Sequence, residues 1–343
     1  MRHFRLLAIS SLVLTLAASC NPFGVSGGGG GLLKSVDSGE SWDFANKLEA
    51  QGTIAGVTAT RIRIDRNKSD QLYLGTSSSG VYSSADRGIV WKQILAGPKI
   101  FDLQVNPGNS EEIFAGGSFG DVAKAFRSGD GGQSWVEAYS EAKGSTFVSA
   151  VAYHPSDNKI IYLGLSSGEI VRSANGGETW NLFTRLNDRI VRIEVEPEDA
   201  RLMYALNFMS GLWRSTDGGG TWQQVTDKIS ARNFHDFRTV RGSPSSLYLA
   251  TGDGLWHSSN RGETWTKLQL PLHEPTSIVS SVELNQRAPA HLFATVGQTL
   301  YISSDGGNFW KTKALSTSAT VRDLVLDQNE TNVMYAALGV PMQ

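Results

Sequence analysis

The stretch STDGGGTW, Ser215–Trp222, decides the reading of this chain, because its pattern Ser-x-Asp-x-Gly-x-x-Trp returns six more times. The other copies are SVDSGESW (Ser35–Trp42), SADRGIVW (Ser84–Trp91), SGDGGQSW (Ser128–Trp135), SANGGETW (Ser173–Trp180), SSNRGETW (Ser258–Trp265) and SSDGGNFW (Ser303–Trp310). Their starts run from 35 to 303, so six periods average about 45 residues, a spacing that signals a repeat architecture.

The residue types explain themselves as a turn. A short Asp or Asn side chain can accept hydrogen bonds from backbone amides a few residues on, and glycine supplies the positive φ that a tight connection needs. The acid position is Asp37, Asp86, Asp130, Asn175, Asp217, Asn260 and Asp305. A metal or sugar site would not need seven copies, two of them carrying an amide, so the box reads as structural. The tryptophans Trp42, Trp91, Trp135, Trp180, Trp222, Trp265 and Trp310 should open the next strand and anchor the core. Each could bury roughly 150–250 Å², worth at most about 4–6 kcal/mol.

Short β-type runs surround every box. Before Ser215 come Ile190–Val195, Leu202–Leu206 and Gly211–Arg214, three strands leading into the turn. The first repeat starts at its third strand, Leu32–Ser35, whereas Val321–Leu326 and Val333–Leu338 form a first and second strand with no box after them. The prediction is therefore an all-β fold over residues 32–343: a single seven-bladed β-propeller of four-stranded blades. Strands from both ends of the chain share one blade, which closes the ring and removes free sheet edges.

These strings resemble the Asp-box (BNR) repeat of sialidases, family 74 xyloglucanases, sortilin-type receptors and photosystem II assembly lipoproteins. The resemblance implies a β-propeller whose boxes join the third and fourth strands on the face opposite the ligand-binding face. It says little about activity, because one architecture hosts many functions.

Residues 1–19 read as a lipoprotein signal peptide: Arg2, His3 and Arg5 precede an apolar run from Leu6 to Leu16 and the small residues Ala17, Ala18 and Ser19. The ending Leu-Ala-Ala-Ser-Cys resembles a bacterial lipobox, which implies lipidation of Cys20. Residues 20–31 then form a glycine-rich tether that would hold the body within about 20 Å of a membrane on the extracytoplasmic side. Cys20 is the single cysteine, so the folded part has no internal disulfide and no thiolate zinc site. Lysine and arginine number 31 against 33 acids, a balance that leaves no basic footprint for nucleic acid. No cofactor or metal motif appears, and a monomer is expected.

Function should sit on the face opposite the boxes. Aligning the first strands places Arg61, Asp102, Ala150, Arg192, Asp236, Ser281 and Asp323 at one equivalent position around the axis. Opposite charges then alternate, with Arg61 between Asp323 and Asp102 and Arg192 beside Asp236. That arrangement either plugs the channel with ion pairs or forms a polar pocket rimmed by Phe101, Arg189, His235 and Arg322. Phe119 and Phe208, in loops between second and third strands, are further contact candidates.

No catalytic residue is assigned. The sialidase resemblance would require an arginine triad, a Tyr–Glu pair and an early Arg-Ile-Pro string, and this chain has Arg61-Ile62-Arg63 with no assignable pair. A glycosidase of another kind would need two carboxylates roughly 5–5.5 Å or 6.5–9.5 Å apart. A neighbouring arginine would make Asp102, Asp236 or Asp323 a poor general acid. The leading expectation is a non-catalytic scaffold for a protein client near the membrane, and the alternative is a cell-surface glycosidase or glycan-binding module.

Overall fold

A computed structural model describes residues 29–271 and 278–339, which form 28 strands in seven four-stranded sheets. The innermost strands are Thr320–Leu326, Ala59–Asp65, Lys99–Asn106, Val148–Tyr153, Ile190–Val195, Phe234–Val240 and Val279–Leu284, each packed on the next so that the ring closes. We number these blades 1 to 7. Cys20 and the leader lie outside the described residues, and Gly31, assigned to the tether, already opens a strand.

Blade 1 is shared by the two ends of the chain. Gly31–Ser35 pairs antiparallel with Met334–Gly339, in register from Gly31 opposite Leu338 to Ser35 opposite Met334, and Asp43–Phe44 completes the sheet outside it. The Gly31 amide donates to Val57 O just before the first strand of blade 2, so the chain enters at the face opposite the boxes.

The boxes repeat one hydrogen-bond pattern in all seven copies. In the Ser215 box the Ser215 hydroxyl donates to Asp217 at 2.7 Å and accepts from Gly219 N–H at 2.8 Å, while Asp217 Oδ1 accepts from Thr221 N–H at 2.9 Å. The acid thus caps the amide four residues on. The fourth and fifth box residues both take positive φ; at Gly219 (φ 91°) a Cβ would also collide with Phe183 of the preceding blade. Strands resume one residue after each tryptophan.

Burial is uneven among the seven tryptophans expected to anchor the core. Trp91 is fully buried because residues 45–48 fold over it, with Ala45 O accepting from its indole N–H at 2.8 Å. The other six are half-buried. In five of them the indole donates to the box glycine carbonyl, as Trp222 does to Gly219 O at 3.1 Å, and Trp180 donates to Ala138 O at 2.8 Å as well. The core proper lies between blades, for example Leu33, Leu300, Leu324 and Met334 at the junction of blades 7 and 1.

Candidate functional site

Every innermost strand carries a β-bulge near its start, and the register shift falls immediately before Arg61, Asp102, Ala150, Arg192, Asp236, Ser281 or Asp323. These residues stand opposite Gly75, Gly116, Gly164, Leu206, Ala250, Thr295 and Ala337 respectively, so their equivalence is a property of the ladder. A bulge disrupts ladder pairing locally. The next blade's backbone N–H is then met by a side chain from the preceding blade. Asp323 accepts from Ile62 N–H at 3.0 Å, Asp102 from Val151 N–H at 2.8 Å, Asp236 from Val282 N–H at 3.3 Å and Ser281 Oγ from Leu324 N–H at 3.3 Å.

The remaining capacity of the acids goes to arginine. Arg61 lies 3.3 Å from Asp102 and 3.6 Å from Asp323, and Arg63 bridges the same two acids at 2.8 and 3.1 Å. Across the axis, Asp236 holds Arg238 at 2.5 Å and Arg192 at 3.3 Å, and Arg238 reaches Glu283 at 3.3 Å. Burial alone would raise the pKa of Asp236, but Arg238, Arg192 and Arg61 outweigh it and hold the carboxyl below its ordinary value. Glu283 is pushed up by burial despite Arg238.

The structure corrects the expected position of the pocket. A cavity of about 580 Å³ lies on the axis, but its walls are Arg61, Asp102, Arg192 and the residues below them, ending at the turns between first and second strands: Arg66, Pro107, Pro155, Glu196, Arg241 and Gln328. Those turns adjoin the boxes; Gly218 N–H in the Ser215 box, for example, donates to Arg201 O at the start of its own second strand. The cavity therefore opens on the box face. Asp236 and Asp323 are buried in the ion-pair ring, and neither lines the cavity.

Phe101, His235 and Arg322 occupy the bulge position itself and stand at the opposite end with Arg189. Phe101 packs on Phe147, with centroids 4.4 Å apart; Arg189 lies 4.2 Å over the ring of Phe208, whose edge meets His235. Burial, with Arg189 adding to it, lowers the His235 pKa to about 4, so the imidazole is neutral at physiological pH. Phe208 is thus a packing residue, whereas Phe119 is 53% exposed.

Sequence alignment at a single position missed the second tier. Arg63, Glu194, Arg238 and Glu283 lie two residues beyond the ring, and Asp65 and Glu196 four beyond it; the period of two along a strand was the signal that could have found them. Burial raises the Glu196 pKa to about 7, with Glu194 and Glu198 contributing against the Thr239 hydroxyl. Among the described residues no group of three or more His, Cys, Asp or Glu is arranged to hold a metal ion.

Known proteins with these features are propellers of divergent activity. The family model described as sortilin, neurotensin receptor 3, matches residues 210–337. The chain is 25% identical over 207 residues to xyloglucanase Xgh74A of Acetivibrio thermocellus, covering 51% of this chain and 24% of that protein. Among solved structures, a GH74 xyloglucanase from Xanthomonas campestris superposes with a TM-score of 0.71 at 16% identity, over 82% of this chain and 51% of that one. YCF48 bound to D1 peptide superposes with a TM-score of 0.63 at 15% identity, over 83% of this chain and 94% of that one. The shared element is the β-propeller. The propeller described here spans about a quarter of the length of the xyloglucanase it matches in sequence.

Proposed function

We propose that this propeller is a non-catalytic binding scaffold, exported by residues 1–19 and lipid-anchored at Cys20 on the extracytoplasmic side of a bacterial membrane, which takes a protein client on the face opposite its boxes. The observation that carries this reading is the commitment of Asp102, Asp236 and Asp323. Each is buried, ion-paired to arginine and bonded to a neighbouring blade's N–H, and so is a structural staple. The face opposite the boxes offers exposed Phe119, Met209 and Ile278 on its loops, and the chain enters there at Gly31, so a short tether would turn that face toward the membrane. A peptide held by YCF48, a propeller of nearly matching length, supports a protein client.

One observation favours glycan hydrolysis as a second reading. Glu194 and Glu196 stand side by side in the axial cavity with the Glu196 pKa raised to about 7, a range suited to a general acid. The two readings separate by photo-crosslinking in a cell envelope from positions 119 and 209, with position 309 on the box face as control, together with a reducing-end assay on xyloglucan. Discrete protein adducts from 119 and 209 without sugar release are expected. Absence of such adducts, or release of reducing ends that Glu196→Gln abolishes, overturns the proposal.

A further inference from the structure

The turns that close the innermost strands of blades 1, 2, 3 and 7 share a side-chain device. The residue four beyond the ring position caps the turn: Asp65 accepts from Asn67 N–H at 2.9 Å, Asn106 from Gly108 N–H at 2.9 Å, Asn285 from Arg287 N–H at 2.9 Å and Asp327 from Asn329 N–H at 2.8 Å. Glu196 occupies that position in blade 5 and makes no such cap. Its side chain lines the axial cavity at 2% exposure, and Oε1 has no hydrogen-bond partner among the described residues. Glu194, two residues earlier, is committed: Oε2 faces Arg192 Nε at 3.7 Å and its other oxygen accepts from the Thr239 hydroxyl at 2.5 Å. Asp65, across the axis and 1% exposed, leaves Oδ2 unmet in the same cavity. Leaving a buried carboxylate oxygen unpaired costs free energy that a bound cation would recover.

Two further cations stand nearby without meeting the free oxygens of Glu196 and Asp65. Arg66 and Arg241 line the same cavity, and among the described residues neither forms an ion pair with a carboxylate. The Arg66 pKa falls to about 10 through desolvation first and the charge of Arg241 second. The mouth therefore holds two guanidiniums and the buried Glu196 carboxyl, and among the described residues none of the three is in an ion pair. A simple anion would satisfy the guanidiniums and leave Glu196 unmet, and a simple amine would do the reverse.

We propose that the axial cavity on the box face is a binding site for a small zwitterion, an amino acid in the broad chemical sense, with its carboxylate between Arg66 and Arg241 and its ammonium on Glu196. The cavity, about 580 Å³, has room for a ligand of this size. This site is independent of the protein-binding face, from which it is separated by the ion-pair ring.

The test is calorimetric titration of the whole chain with glycine, β-alanine, 4-aminobutyrate and 6-aminohexanoate, against butylamine and butyrate as single-charge controls, at a pH above the Glu196 midpoint. One member of the series should bind at least about tenfold more tightly than either control. Glu196→Gln and Arg241→Gln should each erase that advantage, and Met209→Ser, on the far face, should leave it unchanged. The proposal is overturned if no zwitterion binds more tightly than about 1 mM, if butylamine or butyrate binds as well, or if both cavity variants bind like the parent. Crosslinking from position 209 would be unaffected by any of these results, so failure here is distinguishable from failure of the client-binding role.

Discussion

Replacing Asp323 with alanine should open the ring where its two ends meet. Asp323 is fully buried in blade 1, and through it the C-terminal strands grip blade 2: it accepts from Ile62 N–H at 3.0 Å and Arg63 Nη1 at 3.1 Å and faces Arg61 at 3.6 Å. Alanine leaves one amide unmet and two guanidiniums sharing Asp102 alone. Breaking a buried ion pair from one side typically costs about 3–5 kcal/mol, and an orphaned amide about 1–3 kcal/mol more when the losses are independent. Because both losses fall on one network they overlap, and the expected total is about 3–5 kcal/mol. Ser281→Ala is the calibrating variant. It removes the acceptor of Leu324 N–H and the donor to Asp236 at 3.1 Å, all neutral or singly charged bonds, and should cost about 1–2 kcal/mol. Urea unfolding followed by tryptophan fluorescence reads both, with the slope checked for a constant value. A loss below about 1 kcal/mol for Asp323→Ala, or one no larger than that of Ser281→Ala, would refute the view that the ring acids are staples.

Glu196 carries a pH signature. Its pKa rises from 4.5 to about 7 on folding, so the native state binds more protons than the unfolded state across that interval and stability must fall as pH rises through it. The full penalty, at most about 3 kcal/mol, is present above pH 7, and Glu196→Gln should flatten the curve between about pH 5 and about pH 8 in urea midpoints. Trp91→Ala should cost about 3–5 kcal/mol, whereas Trp222→Ala, half-buried, should cost clearly less; equal losses in denaturant unfolding would deny the role assigned to residues 45–48. Deleting residues 321–343 removes the two inner strands of blade 1 and should abolish the cooperative transition; a truncated chain that melts like the parent would contradict the shared blade.

The propeller was legible in the residues because its instructions are local. A serine, an acid or amide, a glycine and a tryptophan at fixed spacing close a turn by bonds that span at most four residues, as Ser215, Asp217, Gly219 and Thr221 do, and counting the copies counts the blades. The shared blade was equally legible, since Leu32–Ser35 lacks two strands that Val321–Leu338 supplies. The apolar alternation of the first strands also aligned Arg61, Asp102, Arg192, Asp236 and Asp323 correctly around the axis. What those residues do was decided only by the assembled ring. An amide of the next blade, beside that blade's own bulge, together with one or more arginines converts three acids into staples. Which face holds the open cavity, and that Glu196 leaves its capping position to enter it beside Arg66 and Arg241, depend on side chains separated by as many as 175 residues in the chain and brought together by closure. No spacing within one repeat encodes such contacts, because each is made between repeats.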